Sequence, residues 1–196
     1  MGLSTTPQAN SVYGHGVFIS EATIINAQDH SGTMPSFLKT IPDIYLVLTI
    51  DIGKEWTPEM SFFGDYKRDE RSPEVIVDWG SAFKIRNLFS ACGIHREIND
   101  DGTIPGDMVK ELTGKKILRL QYVSGVRENG KLKYSDWTEQ VLPADGDPRK
   151  LAELFFKSVE RGYPKNYSPD VLVEDDSFDT RELNEGISIP AADSDF

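Results

Sequence analysis

Residues 43–52 read DIYLVLTIDI and have the clearest period in the chain. One set of alternate positions is wholly aliphatic: Ile44, Leu46, Leu48, Ile50 and Ile52. The other set carries Tyr45, Val47, Thr49 and Asp51. Because side chains alternate between the two faces of a strand, this pattern predicts a β-strand with one buried and one solvated face.

Four other segments are rich in β-branched and aromatic residues and are also predicted to be strands. They cover residues 17–27, 59–67, 115–124 and 131–142. Asn129-Gly130 is a strong hairpin signal between the last two, because both residues accept the backbone of a tight turn. Gly64, inside the third predicted strand, indicates a bulge or a close approach of another backbone.

Two helices complete the pattern. Ser81 is a candidate cap for a helix that runs to about Cys92, with Gly93 just beyond its end. Asp147-Pro148 begins the second helix, and Gly162 follows it. Five strands with a helix between the third and fourth have the order of the OB-fold, although a sandwich or an α+β sheet also fits. We expect a mainly β protein: an OB-fold-like five-stranded barrel with one inserted helix, a C-terminal helix and a disordered acidic tail.

Charge divides the chain unevenly. Residues 170–196 hold nine acids and one base, a net charge of −8 out of −11 for the whole chain. High charge with few large apolar residues is typical of disorder. We therefore expect a flexible N-terminal arm at 1–15, an OB-fold-like nucleic-acid-binding domain at 16–163 and an acidic disordered tail at 164–196.

Motifs for catalysis are missing from the sequence. The single cysteine, Cys92, excludes a disulfide within the chain and a cysteine-based metal site. The histidines, at 15, 30 and 95, stand outside any metal-binding motif, and no phosphate-binding or nucleophile motif occurs. We expect no enzymatic activity, no metal and no cofactor; an enzyme whose carboxylates come together from distant positions is the least favoured alternative. No signal peptide or membrane span is predicted, and the cysteine usage fits the cytoplasm.

Bases and aromatic residues alternate in the predicted hairpin. Residues 110–134 carry seven bases and two acids. A second aromatic and basic group lies at 56–68. Single-stranded nucleic acid needs this mixture, because cations contact phosphates while flat rings stack on unpaired bases. Core packing of the aromatic residues is the alternative explanation.

The chain ends in ADSDF, where carboxylates flank the terminal aromatic residue, Phe196. Such a peptide can place its ring in an apolar pocket while its carboxylates meet a basic rim. This ending resembles the acidic C-terminus, closed by phenylalanine, of bacterial and bacteriophage single-stranded-DNA-binding proteins. The segments LFSACGI, KELTGKKILRLQYVSG and NGKLKYSDW resemble the phage replication proteins of this type.

The resemblance implies an OB-fold that binds single-stranded DNA without strong sequence preference in replication, recombination or repair. It implies that a tail tip of Asp193, Asp195 and Phe196 recruits a polymerase, helicase, primase or nuclease. Phosphate contacts would come from Lys115, Lys116, Arg119, Lys131 and Lys133. The stacking candidates would be Trp56, Phe62, Tyr122 and Trp137. If the protein is phage-encoded, it would act in the host cytoplasm, and a homo-oligomer stays open.

An alternative function uses the same features differently. The chain would be a protein-interaction or assembly accessory protein, with the tail as its docking peptide and no DNA binding.

Overall fold

A computed structural model describes residues 11–12 and 16–168 of the chain. Its strands are β1 (Ser11–Val12), β2 (Val17–Asp29), β3 (Ile44–Asp51), β4 (Glu59–Gly64), β5 (Lys67–Arg68), β6 (Ile76–Asp78), β7 (Lys116–Val126) and β8 (Leu132–Pro143). Its helices are α1 (Phe83–Ala91), α2 (Gly106–Glu111) and α3 (Pro148–Glu160). The described chain is therefore mainly β, as predicted.

Six of these strands form one antiparallel sheet: β1 pairs with β2, and the other five follow the order β4-β3-β2-β7-β8. The first three are consecutive along the chain, and β7 returns beside β2, which is Greek-key topology. The terminal strands β4 and β8 contact each other, so that the sheet nearly closes into a barrel. Helix α1 packs against both of them and bridges the seam. The predicted OB-fold-like barrel is confirmed.

Strand β2 belongs to both halves of the barrel. Thr23 stands opposite Asp51 of β3 on one edge and opposite Lys116 of β7 on the other. The residues before Thr23 pair with β7, while those after it pair with β3 across a register shift. One long, bent strand therefore lets five strands curl into a barrel, because such a bulge bends its strand.

The barrel interior is the main core, and the alternation in residues 43–52 decides which side chains fill it. Ile44, Leu46, Leu48 and Ile50 are each at most 1% exposed. Helix α1 and the residue before it close the interior with an apolar stripe: Ala82, Ile85, Leu88 and Phe89. Burying an aliphatic side chain of this size contributes about 1.5–3 kcal/mol, so this layer supplies much of the driving force for folding.

A second core lies outside the barrel, under α3. Asp147 caps this helix as predicted, because its Oδ1 accepts the backbone N–H of Arg149 at 2.9 Å. Leu151, Ala152 and Phe155 then pack on the outer face of β2, β7 and β8. Strand β7 is consequently buried on both faces over most of its length.

Four local features of the structure differ from what the sequence predicts. Ser81 does not cap α1; its Oγ accepts the N–H of Asp65 at 2.8 Å, and a 3-10 turn at Gly80–Ala82 leads into the helix. Strands β5 and β6, a small two-stranded sheet, were not predicted. Ser11–Val12, in the predicted arm, pairs with β2, and residues 164–168, assigned to the tail, pack on the barrel through Tyr167.

Candidate functional site

Three of the four predicted stacking residues are core side chains. Phe62 is 0% exposed inside the barrel. Tyr122 and Trp137 are each 5% exposed on the outer face that α3 covers. Their ring centroids lie 5.3 and 5.4 Å from that of Phe155, and the Tyr122 hydroxyl donates to Asn166 Oδ1 at 2.9 Å. We therefore remove these three rings from the interface, because no base can reach Phe62 inside the barrel or the other two rings beneath α3.

Arg119 is likewise part of the interior. It is 2% exposed, and its Nη1 lies 3.1 Å from Asp136 Oδ1 in a buried ion pair. A second nitrogen donates to Gln121 Oε1 at 2.9 Å. Burial raises the pKa of Asp136, and the nearby guanidinium opposes that shift. Since its charge is already neutralised inside the protein, Arg119 is removed from the phosphate contacts as well.

The remaining predicted bases are not brought together. Lys115 and Lys116 are exposed at the start of β7, where Lys116 Nζ pairs with Glu21 at 2.7 Å. Lys131 and Lys133 follow the turn at the other end of the hairpin. An 11-residue strand separates the two pairs, which corresponds to about 33 Å. Trp56, half-buried in the β3–β4 loop, lies toward the Lys116 end.

A different group of rings lies on the outer face of β3 and β4. Tyr45 and Phe63 are direct cross-strand partners there. Phe37, from the β2–β3 loop, joins them with ring centroids 6.2 Å from Tyr45 and 5.6 Å from Phe63. His30, at the start of the same loop, lies 5.6 Å from Tyr45. All four are partly exposed, and we call them the aromatic cluster.

Charged side chains of both signs lie near the aromatic cluster. Lys84 of α1 places its Nζ 4.9 Å from the centroid of Phe63. Burial lowers the pKa of Lys84, against the influence of Glu139 and Asp65. Arg68 is bound at 2.9 Å to Asp43, which precedes β3. Two large apolar side chains, Met34 and Ile41, are each 52% exposed. Both belong to the β2–β3 loop, one on each side of Phe37 in the sequence.

The sequence contained only part of the signal for this cluster. The outward position of Tyr45 follows from the alternation, and the pairing with Phe63 follows once the register is known. Phe37 and His30 come from an irregular loop, and Lys84 comes from the first predicted helix. No period links these segments, so only the folded chain brings them together.

Some predicted features lie beyond the part of the chain that the structure describes. The tail tip of Asp193, Asp195 and Phe196 is among them. Within residues 16–168, no group of three histidine, cysteine or acidic side chains could hold a metal ion. The same residues include no helix with the length and hydrophobicity needed to cross a membrane. No protein-family model and no curated protein matches the sequence.

Proposed function

We propose that this protein binds single-stranded DNA, without strong sequence preference, on the outer face of β3 and β4. The observation that carries the proposal is the aromatic cluster on that face. In an OB-fold the corresponding strands, the second and third of the barrel, and the adjoining loops take up oligonucleotides and oligosaccharides. Both β3 and the β2–β3 loop contribute rings here.

Stacking explains why such binding would tolerate any sequence. Every base has a flat π-face, and stacking on an aromatic side chain contributes about 1–3 kcal/mol per base. Tyr45 and Phe37 are half-buried, which holds their rings in place while leaving surface to contact a base. Positioned rings lose little conformational entropy on binding, so more of the stacking energy appears as affinity.

Electrostatic attraction is expected to contribute less than in strongly basic DNA-binding proteins. Arg119 is neutralised by Asp136, Lys116 by Glu21 and Arg68 by Asp43. Each phosphate that a protein neutralises on a single strand adds about 0.7 to the slope of log K against log salt. We expect few such contacts and therefore a shallow salt dependence, with the stacking energy retained at high salt.

The decisive experiment measures fluorescence anisotropy of a labelled oligo-dT with the full chain. Tyr45→Leu and Phe37→Leu keep an apolar side chain but remove the flat ring. Each should weaken binding about 5- to 100-fold, as expected from the loss of one stacked base. Tyr163→Leu is the matched control, since Tyr163 is 39% exposed and follows α3, the helix that packs on β2, β7 and β8. If no oligonucleotide binds at low salt, the proposal is wrong.

We also propose, from the resemblance, a role in phage DNA replication or recombination, with the acidic tail recruiting a replication protein. Deleting residues 193–196 should abolish capture of that partner and leave the affinity of the β3–β4 face for oligo-dT intact. Loss of oligo-dT binding instead would contradict this division of roles.

The second candidate function is a protein-interaction module without DNA binding. The mixed charges around the aromatic cluster and the exposed side chains of Met34 and Ile41 favour it, because rings and methionine are enriched in protein interfaces. This function predicts that Tyr45→Leu weakens partner capture, and that oligo-dT neither binds nor competes.

A further inference from the structure

We infer that Lys84 of α1 is the phosphate-binding residue of the aromatic cluster, an inference that rests on the proposed function. The predicted phosphate contacts all lay on the β7–β8 hairpin and at the start of β7. Lys84 instead reaches the cluster from the helix that bridges the barrel seam. Its Nζ lies 4.9 Å from the Phe63 ring centroid, next to the rings proposed to stack on bases.

The position of Lys84 is unfavourable for a cation in the unbound protein. Its side chain is half-buried between α1 and the sheet. Among the described residues, no carboxylate oxygen lies within 4.0 Å of Lys84 Nζ, so Lys84 has no ion-pair partner there. Lys84 is also the second residue of α1, where the positive end of the helix dipole disfavours another positive charge.

The groups that face Lys84 compensate only part of this cost. Phe63 of β4 offers the face of its ring, and a cation–π contact contributes about 0.5–2 kcal/mol. Glu139 of β8 and Asp65, just after β4, are the acids near enough to raise the pKa of Lys84. Burial outweighs them and lowers that pKa below the ordinary lysine value of 10.5. Glu139 also accepts a hydrogen bond from Ser158 Oγ at 3.4 Å, so it is shared with α3.

A phosphate beside the ring would supply the negative charge that this position lacks. Lys84 is a flexible point charge, so it can follow a phosphate while the neighbouring base stacks on Tyr45 or Phe37. A nearby phosphate favours the charged form of Lys84. At any pH where Lys84 is partly neutral in the free protein, binding therefore takes up protons. Affinity should therefore be constant near neutral pH and fall as the pH rises through the lowered pKa of Lys84.

The test compares Lys84→Met, Lys84→Arg and the control Lys150→Met, an exposed lysine on α3. Lys84→Met should lower the salt slope by about 0.7 and the affinity at 0.1 M salt about fivefold. Lys150→Met should change neither. Lys84→Met should also melt at the same temperature as wild type or higher, because an apolar side chain replaces a desolvated cation. A merely structural lysine would lower the melting temperature instead.

A pH series keeps the inference testable even if Lys84→Met fails to fold. Oligo-dA is the probe, since thymine itself loses a proton at alkaline pH. Wild-type affinity should begin to fall at a lower pH than that of Lys84→Arg, because arginine stays charged throughout this range. Identical pH profiles, or a wild-type salt slope in Lys84→Met, would overturn the inference and leave the proposed function standing. Absence of binding by the wild type would remove both.

Discussion

A substitution at Gly64, the last residue of β4, tests how α1 packs across the seam between β4 and β8. A Cβ at this position would lie 2.5 Å from the backbone of Ser81 and Ala82, at the start of α1. A Cβ essentially never lies within 3.0 Å of a heavy atom outside its own residue and its chain neighbours. Two hydrogen bonds hold the crossing: Asp65 N–H donates to Ser81 Oγ at 2.8 Å, and Ala82 N–H donates to Asp65 O at 3.2 Å. The substitution Gly64→Ala therefore has to push backbone away from backbone.

The expected cost follows from these contacts. Overpacking a well-packed site typically costs about 1–3 kcal/mol, and the rigid backbone atoms here place Gly64→Ala at the upper end of that range. Moving α1 away also weakens the two hydrogen bonds, each worth about 1 kcal/mol. We expect a loss of about 3–5 kcal/mol in the free energy of unfolding. Oligo-dT binding should fall as well, because the first turn of α1 carries Lys84.

Urea unfolding measures this change as a lower midpoint at unchanged slope. Gly106→Ala is the matched control, since no atom lies within 4 Å of its ideal Cβ and its φ is negative. Gly106 begins α2, so alanine there should be neutral or stabilise by up to about 1 kcal/mol. A wild-type midpoint for Gly64→Ala would refute the account of the seam.

Two further predictions concern the core. Arg119→Ala leaves the buried Asp136 carboxylate without its partner and should lower the free energy of unfolding by about 3–5 kcal/mol. The double variant R119M/D136L removes both charges and should recover much of this loss in urea titrations. Equal stability of the single and double variants would contradict this. Burial raises the pKa of the Cys92 thiol from 9.0 to about 11. Because the unfolded chain releases that proton first, its contribution to stability, about 2–3 kcal/mol, is fully present below pH 9. It is lost as the pH rises toward 11, so Cys92→Ala should show a flatter loss of stability than wild type in urea titrations from pH 8 to 11.

The alternation at 43–52, together with four further strand-like segments and two helices, was enough to predict a mainly β fold. Strand period, turn residues and helix caps are local properties, and the described elements start and end close to where those properties predict. Asp147 caps α3, Gly93 follows α1 with a positive φ, and Gly130 closes the hairpin. The order of these elements then left few topologies, of which the OB-fold-like barrel is the one observed.

Which side chains form the candidate site is decided by contacts between segments that are distant along the chain. An alternating strand has two faces, and its sequence alone does not say whether another element covers the outer one. Helix α3 covers Tyr122 and Trp137, and Asp136 neutralises Arg119, which removes three predicted site residues from the surface. The rings of Phe37, Tyr45 and Phe63 stay partly exposed, although Lys84 of α1 lies beside Phe63. The sequence determined the strands and their order, whereas tertiary packing decided which aromatic and basic side chains remained on the surface to bind a ligand.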